Sequence, residues 1–224
     1  MATVPPPPRE LKFGSIVDKT ITVVDRCTRP ALVYLVILTV VSATITYFSP
    51  ATAPPLSQLV GALLKWVIGV IAAYFLIEAM LRATGLGTRP GGDSFVPFLA
   101  LSALYTLGLI LGFIAIILPG FIIMARWIIA QPLLIARGDG PRHALGQSWE
   151  LTKGNELQIL GALLAMLILP IAIVIACSVF FEKTDVVGIV VSQLASSAMS
   201  VIAAAMGVAL YALIVVARSA ASFE

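Results

Sequence analysis

The chain has 224 residues, of which 60% are hydrophobic and only 11% carry a charge. A soluble globular domain carries roughly 25% charged residues, and a water-facing surface this apolar would aggregate. The formal net charge of +3 comes without a dense basic run, which argues against a nucleic-acid partner. The composition therefore indicates an integral membrane protein that has the lipid bilayer as its solvent.

The N-terminal segment contains two parts of different character. Residues 1–12 include the run Pro5–Pro8, which favours polyproline II and predicts a disordered cytoplasmic tail. Residues 13–28 repeat at helical spacing and predict an amphipathic interfacial helix on the cytoplasmic leaflet. A helix packed on the bundle is the alternative. The apolar stripe consists of Phe13, Ile16, Val17, Ile21 and Val24.

Six apolar segments follow, and a helix needs about 20 apolar residues to cross a bilayer core of about 30 Å. The segments are residues 31–48, 59–81, 95–118, 121–136, 156–181 and 186–217. Helix-breaking residues at Thr88–Asp93 separate the second from the third, and Pro119-Gly120 predicts a tight turn before the short fourth. The predicted fold class is all-α, a polytopic transmembrane bundle of six spans with two amphipathic interfacial helices.

The second amphipathic helix is predicted over residues 141–153, on the cytoplasmic side between the fourth and fifth spans. Its less polar stripe includes Ser148 and Trp149, and a tryptophan there would anchor the helix at the interface. Gly154 fits a left-handed helix end, and Asn155 can cap the next span. Residues 218–224 are predicted to form a cytoplasmic tail.

Basic residues are distributed unevenly about these spans. Eleven of the fourteen lie on the side of the N-terminus, whereas Lys183 alone lies on the other side. Because cytoplasmic loops carry the excess of Lys and Arg, we predict a multi-pass protein of the cell (inner) membrane with both termini cytoplasmic. The eleven are Arg9, Lys12, Lys19, Arg26, Arg29, Arg82, Arg89, Arg137, Arg142, Lys153 and Arg218.

Arg126 needs an explanation, because it lies in the fourth span among isoleucines. An arginine at the centre of a membrane helix costs about 2.5–3.5 kcal/mol on the insertion scale, so such residues usually have a partner or face a watery cavity. Gln131, Glu78 and Tyr105 are the candidate partners. Two interpretations remain open: a site for an anionic head group or substrate, and a structural tie or snorkelling side chain.

Three other charged or titratable residues have simpler explanations. Glu78 lies four residues before Arg82, so an ion pair on one helix accounts for it, with a proton-coupling carboxylate as the alternative. Lys65, near the outer end of the second span, is expected to snorkel to the interface. His143 lies at a loop-to-helix junction and is expected to be solvated.

Cofactor and metal chemistry has little support in the sequence. Cys27 and Cys177 are the only cysteines and His143 is the only histidine. The predicted topology places the two cysteines near opposite faces of the membrane, where they cannot pair. We therefore expect no metal site, no cofactor and no catalytic residue, and Walker, GxSxG and HExxH motifs are absent from the sequence.

Small residues at intervals of four predict close helix packing in two spans. They are Gly108 and Gly112 in the third span and Ser196, Ser200 and Ala204, together with Ala203 and Gly207, in the sixth. The pattern does not distinguish a contact inside the chain from a homo-oligomer interface. Pro132 and Pro170 interrupt two other spans, because each removes a backbone hydrogen bond.

A series of residues between the third and fifth spans forms a signature. It comprises Leu118-Pro119-Gly120, Arg126-Trp127, Pro132, Gly140-Pro141, Ala144-Leu145 and Ser148-Trp149-Glu150-Leu151-Thr152-Lys153-Gly154. The signature resembles the membrane-domain family named after glycerophosphoryl diester phosphodiesterases. The resemblance implies a six-span bundle whose shared core includes Arg126, Trp127, Pro132 and the segment Ser148–Gly154. The catalytic barrel that accompanies such bundles in the proteins giving the family its name is not expected here, so the resemblance implies no activity.

Three functions are compatible with these observations. The leading hypothesis is a non-catalytic membrane module that organises lipids, chiefly anionic head groups at the cytoplasmic face, or a partner membrane protein. The second is a small transporter or channel with a polar site around Arg126. The third is a lipid-modifying enzyme that uses Arg126, Glu78 and His143, whose predicted depths differ too much for shared hydrogen bonds.

Overall fold

The computed structural model describes residues 11–49, 54–86, 94–115, 117–181 and 185–216. Nine α-helices occupy these residues, and a π-helical turn at Ala212–Val216 extends the last one. The helices are α1 (Phe13–Arg26), α2 (Thr28–Phe48), α3 (Pro55–Ala83), α4 (Phe95–Ala115), α5 (Ile117–Trp127), α6 (Ala130–Arg137), α7 (Pro141–Leu151), α8 (Glu156–Phe180) and α9 (Val186–Tyr211). Residues 1–10 of the tail predicted over residues 1–12, the tail predicted over residues 218–224 and the loop at 88–93 lie outside the described residues.

Six helical stretches in the described ranges are long and apolar enough to cross a membrane, which confirms the predicted fold class. They are Thr28–Phe48, Pro55–Ala83, Phe95–Ile114, Pro119–Arg137, Glu156–Phe180 and Val186–Val215. Large apolar side chains cover their outer faces, with Ile114 at 76% and Phe180 at 81% exposure. A continuous apolar surface of this kind is stable only against lipid.

Helix α9 is the centre of the bundle. It packs against α8, α1, α2 and α3, and more than half of its most apolar stretch is buried. Small residues on the buried face, such as Ala195, Ala205 and Ala209, let the neighbouring backbones approach closely. Lipid tails are as apolar as the side chains of the helices, so no hydrophobic force drives the helices together, and close van der Waals packing stabilises their association instead.

The small-residue stripe predicted on this helix is offset from the buried face. Ser196 and Ser200 are exposed, and their hydroxyls donate to carbonyl oxygens of α9 itself. Ala204 is half-buried. The series Ser196, Ser200 and Ala204 therefore identified the right helix but not its buried face, whereas Gly207 of the pair Ala203 and Gly207 is buried and closely packed.

The fourth predicted span, residues 121–136, is not one continuous helix. Helix α5 ends at Trp127, and α6 begins at Ala130 after a turn at Ile128 and Ile129. Pro132 accounts for the interruption, because it has no amide hydrogen to donate to the carbonyl of Ile128 one turn earlier. Pro170, by contrast, lies within α8, which continues through it.

Pro119 and Gly120, where a turn was predicted, lie within α5, which begins at Ile117. Proline is tolerated in the first turn of a helix, where its missing amide hydrogen has no intrahelical acceptor. A Cβ on Gly120 would lie 2.6 Å from the Phe113 ring, and a Cβ on Gly112 would lie 2.8 Å from the Ile123 side chain. The glycines of α4 and α5 therefore make a contact inside the chain.

Helices α1 and α7 lie at one end of the bundle, here called the basic end, together with the ends of α2, α3 and α6 that carry Arg29, Arg82 and Arg137. Helix α1 packs across α8 and α9 and buries Ile16, Thr20 and Val23. This supports the alternative in which α1 packs on the bundle, although part of the predicted apolar stripe stays exposed.

The turn between α7 and α8 holds the segment that precedes α1 in place. Gly154 has a φ of +85°, the left-handed conformation predicted for it and one that glycine adopts at little cost. Asn155 does not cap α8 through its side chain. Its Oδ1 instead accepts the amide hydrogen of Leu11 at 2.9 Å, so the predicted cap holds the N-terminal segment.

We expect Gly207→Ala to lower the free energy of unfolding by about 1–3 kcal/mol, the usual cost of overpacking. A Cβ at Gly207 would lie 2.8 Å from the carbonyl oxygen of Ile128, a backbone atom that cannot rotate away. Thermal unfolding of the purified protein in detergent would measure the loss. Gly69→Ala is the matched control, since nothing lies within 4 Å of a Cβ there. Equal melting temperatures for the two variants would contradict this close contact between α9 and the interrupted span.

Candidate functional site

The guanidinium of Arg126, at the end of α5, is held by α7 and α8. One terminal nitrogen, Nη2, forms an ion pair with Glu156 in the first turn of α8. The other, Nη1, donates to the carbonyl oxygen of Trp149 at 2.8 Å. The guanidinium carbon also lies 4.9 Å from the centre of the Trp149 ring, within the range of a cation–π contact.

The backbone carbonyl of Arg126 is bonded by side chains of α7 and of the residue that follows it. The carbonyl oxygen accepts hydrogen bonds from the Ser148 hydroxyl at 2.6 Å and from the Thr152 hydroxyl at 3.2 Å. The turn at Ile128 and Ile129 interrupts the helical bonding that would normally satisfy this oxygen. Because an unpaired carbonyl in hydrocarbon costs several kcal/mol, the two hydroxyls stabilise the break.

We call these five residues, Arg126, Ser148, Trp149, Thr152 and Glu156, the Arg126 cluster. Ser148 and Thr152 are fully buried, and the Arg126 side chain is 12% exposed. An acidic residue in the first turn of α8 is also favoured by the helix dipole. The cluster neutralises a charge and satisfies a carbonyl at the point where three segments meet, so its geometry favours the structural interpretation of Arg126.

The partners predicted for Arg126 lie elsewhere, and the structure corrects that prediction. Glu78 pairs with Arg82 one turn along α3, as the simpler explanation for Glu78 requires. Gln131 and Tyr105 line a cavity between the helices. Glu156 was not among the predicted partners, because those were chosen from within the spans. A signal was present in the sequence, since Glu156 is the first residue of a span and lies two residues after Gly154, the last residue of the signature.

The signature residues divide between the Arg126 cluster and other contacts. The Trp127 ring packs on Gly108, where a Cβ would lie 2.2 Å from it, and Pro132 packs beside Gly207. Trp149 does not serve as an interface anchor alone, because its ring and carbonyl both contact Arg126. Glu150 is exposed on α7.

The residues suggested for an enzyme are not brought together. Arg126 is paired with Glu156, Glu78 with Arg82, and His143 faces Asp139 and Gln147. Cys27 and Cys177 are separate buried thiols. Among the described residues, no three His, Cys, Asp or Glu side chains meet in a group that could hold a metal ion.

We expect Arg126→Ala and Glu156→Gln each to lower the free energy of unfolding by about 3 kcal/mol. This is the lower end of the range for one lost partner of a buried pair, because the Glu156 side chain keeps 27% exposure. The double variant should lose less than the sum, since the first change already removes the partner. The stability of Arg126→Lys should fall between that of the natural protein and that of Arg126→Ala, because an ammonium lacks the planar fork that bonds Glu156 and Trp149 at the same time. Unfolding in detergent would measure all four.

The Arg82–Glu78 pair provides the control for this cycle. The Arg82 side chain is 67% exposed, and exposed pairs of this spacing contribute only about 0.5 kcal/mol or less. Strictly additive losses at Arg126 and Glu156, or a coupling no larger than that of the control pair, would contradict the proposed tie.

Comparison with known proteins bears on this same region. No curated protein and no solved structure matches the chain. The family described as the membrane domain of glycerophosphoryl diester phosphodiesterase matches residues 100–220, which include the whole Arg126 cluster. The match covers more than half of the chain and agrees with the resemblance carried by the signature. The chain belongs to the family of glycerophosphoryl diester phosphodiesterase membrane domains.

Proposed function

We propose that this chain is a non-catalytic membrane module whose basic end binds anionic lipid head groups. Membership in a family of membrane domains supports a membrane module but assigns it no role. The surface of α1 is the observation that carries the proposal.

The faces of α1 differ in a way that suits the surface of a bilayer. At 100° per residue, the docked face of Ile16, Thr20 and Val23 is flanked on one side by an apolar ridge, and Phe13 and Ile21 on that ridge are each 48% exposed. Lys12, Lys19 and Arg26 flank the docked face on the other side. Asp18 and Asp25 lie on the far face. A helix lying on anionic lipid places its residues in this order, with acidic groups turned from the phosphates.

The rest of the basic end adds exposed positive charge. Arg29, Arg137, Arg142 and Lys153 are all exposed there, and Glu150 is an exposed acid on α7. Basic residues at a cytoplasmic membrane surface are attracted to anionic lipid, each by about 1 kcal/mol. The positive charge of the basic end therefore supports binding to anionic lipid head groups rather than to the hydrocarbon tails.

The same charge supports a cytoplasmic location for the basic end and both termini. A reporter fused after Glu224 that is active only in the cytoplasm is the expected result. A fusion active only on the opposite side of the membrane would contradict the orientation.

Transport through Arg126 has less support than lipid binding. Its two terminal nitrogens are bonded to Glu156 and Trp149, so an anion would have to displace a carboxylate. The enzyme hypothesis has less support still, because Arg126, Glu78 and His143 each have a different partner.

Lipid enrichment around the reconstituted protein tests the proposal. In nanodiscs that contain spin-labelled phosphatidylglycerol or phosphatidylcholine, we expect the protein to immobilise the anionic lipid preferentially. The triple variant Lys12→Gln, Lys19→Gln, Arg26→Gln should lose this preference several-fold, and high salt should weaken it in the natural protein.

The matched control exchanges the same residues without changing their charge, as Lys12→Arg, Lys19→Arg, Arg26→Lys, and should keep the preference. Equal immobilisation of both lipids, or an unchanged preference in the Gln variant, would contradict lipid binding by α1. If the Gln variant instead lost a co-purifying membrane protein or a second copy of the chain, the basic end would be a protein-binding surface.

A further inference from the structure

A partly open cavity of about 390 Å³ lies between α2, α3, α4, α9 and the interruption of the fourth span. Small-molecule sites typically enclose about 300–1,000 Å³. None of the five residues of the Arg126 cluster lines the cavity, and neither does any residue of α1. It is therefore independent of the basic end and of the lipid binding proposed there.

The cavity has a polar wall although it lies between membrane spans. Tyr34, Ser102, Gln131 and Ser200 are among its lining residues. Ser102 is 4% exposed, and its hydroxyl oxygen is buried without a hydrogen-bond partner. A helical hydroxyl can bond its own backbone, as Thr106 does to the Ser102 carbonyl at 2.8 Å. Because an unbonded hydroxyl is costly in an apolar medium, Ser102 indicates a position where a bound molecule supplies the missing bond.

Lys65 places a positive charge on the same wall. Its Nζ donates to the Thr46 hydroxyl at 3.4 Å, and the Gln193 amide donates to the same oxygen at 3.2 Å. Thr46 is uncharged, and no acidic side chain is among the described residues that line the cavity. Coulomb attraction is strong where the effective dielectric constant is low. The wall therefore favours an anion near Lys65.

Two indole rings give the cavity its apolar surface. The Nε1 of Trp66 donates to the Thr106 hydroxyl at 3.2 Å, and the Trp127 ring is seated on Gly108. Both rings line the cavity with their positions fixed by these contacts. A ligand that satisfies every wall has an anionic group, further polar atoms and an apolar part.

We propose that this cavity binds a phosphate-bearing amphiphile of net negative charge, with its phosphate near Lys65, its remaining polar head-group atoms near Ser102 and Gln131, and its apolar part against Trp66 and Trp127. A membrane phospholipid and a soluble phosphate ester share this chemistry. The cavity is a second binding site on the protein, built largely from α2 and α3 and distinct from the surface of α1.

Tryptophan fluorescence can test the proposal, because two of the three tryptophans of the chain line the cavity. Detergent-purified protein would be titrated with dioctanoyl phosphatidylglycerol, dioctanoyl phosphatidylcholine and inorganic phosphate. We expect phosphatidylglycerol to bind at least tenfold more tightly than phosphatidylcholine. Competition by inorganic phosphate would support a soluble phosphate ester as the ligand, and lipid binding without such competition would support a phospholipid.

Variants of the cavity wall decide whether the binding occurs there. Lys65→Gln should weaken phosphatidylglycerol binding at least tenfold, and Gly69→Phe should abolish it, because nothing lies within 4 Å of a Cβ at Gly69 and the added ring would fill the cavity. The triple Gln variant of α1 should bind as the natural protein does, and its behaviour separates this site from the basic end.

The proposal is overturned if both lipids bind equally or if Lys65→Gln leaves phosphatidylglycerol binding unchanged. Unchanged binding in a Gly69→Phe variant with a normal melting temperature would overturn it as well. If Gly69→Phe does not fold, Lys65→Gln and Ser102→Ala decide the outcome, with an expected loss of affinity in each.

Discussion

The bonding of Arg126 to α7 and α8 is the interaction on which the rest of the bundle depends. A proline in the fourth span interrupts its helical hydrogen bonds, and the span also carries an arginine. Both features are costly in hydrocarbon, where backbone carbonyls and charges need partners within the protein. Ser148 and Thr152 bond the carbonyl of Arg126 beside the interruption, while Glu156 and Trp149 bond its guanidinium. The segment from α7 to the first turn of α8 thus supplies partners for both groups of Arg126.

This arrangement has consequences for the neighbouring helices. Gly207 allows α9 to approach the interruption so closely that a Cβ would meet the carbonyl of Ile128. The other side of the interruption, at Trp127 and Gln131, forms part of the cavity wall. The interrupted span therefore separates two environments. On the side of α7 lies the Arg126 cluster, in which the charges are paired, and on the side of α2 and α3 lies the polar cavity, where the Ser102 hydroxyl has no hydrogen-bond partner.

The two parts of the chain contribute differently to these environments. The family match begins at residue 100, so it includes the Arg126 cluster, the interruption and the central helix α9. Helices α1, α2 and α3 precede it. They supply the exposed ridge of α1, and they also supply Lys65 and Trp66 on the cavity wall. The α1 surface thus lies outside the matched region, whereas the cavity wall combines Lys65 and Trp66 with Ser102, Trp127 and Gln131, which lie within it.

The sequence by itself determined that lipid surrounds the chain, how many spans it has and to which family it belongs. Composition and the lengths of apolar segments depend on local chemistry, so they were readable without coordinates. Only the tertiary structure decided the partner of Arg126, the buried face of α9 and the existence of the cavity. Glu156 lies 30 residues from Arg126, and several faces of α9 carry equally small residues. Which residues come into contact depends on how the helices pack around the interrupted fourth span. The periodicity of the sequence carries no information about that packing.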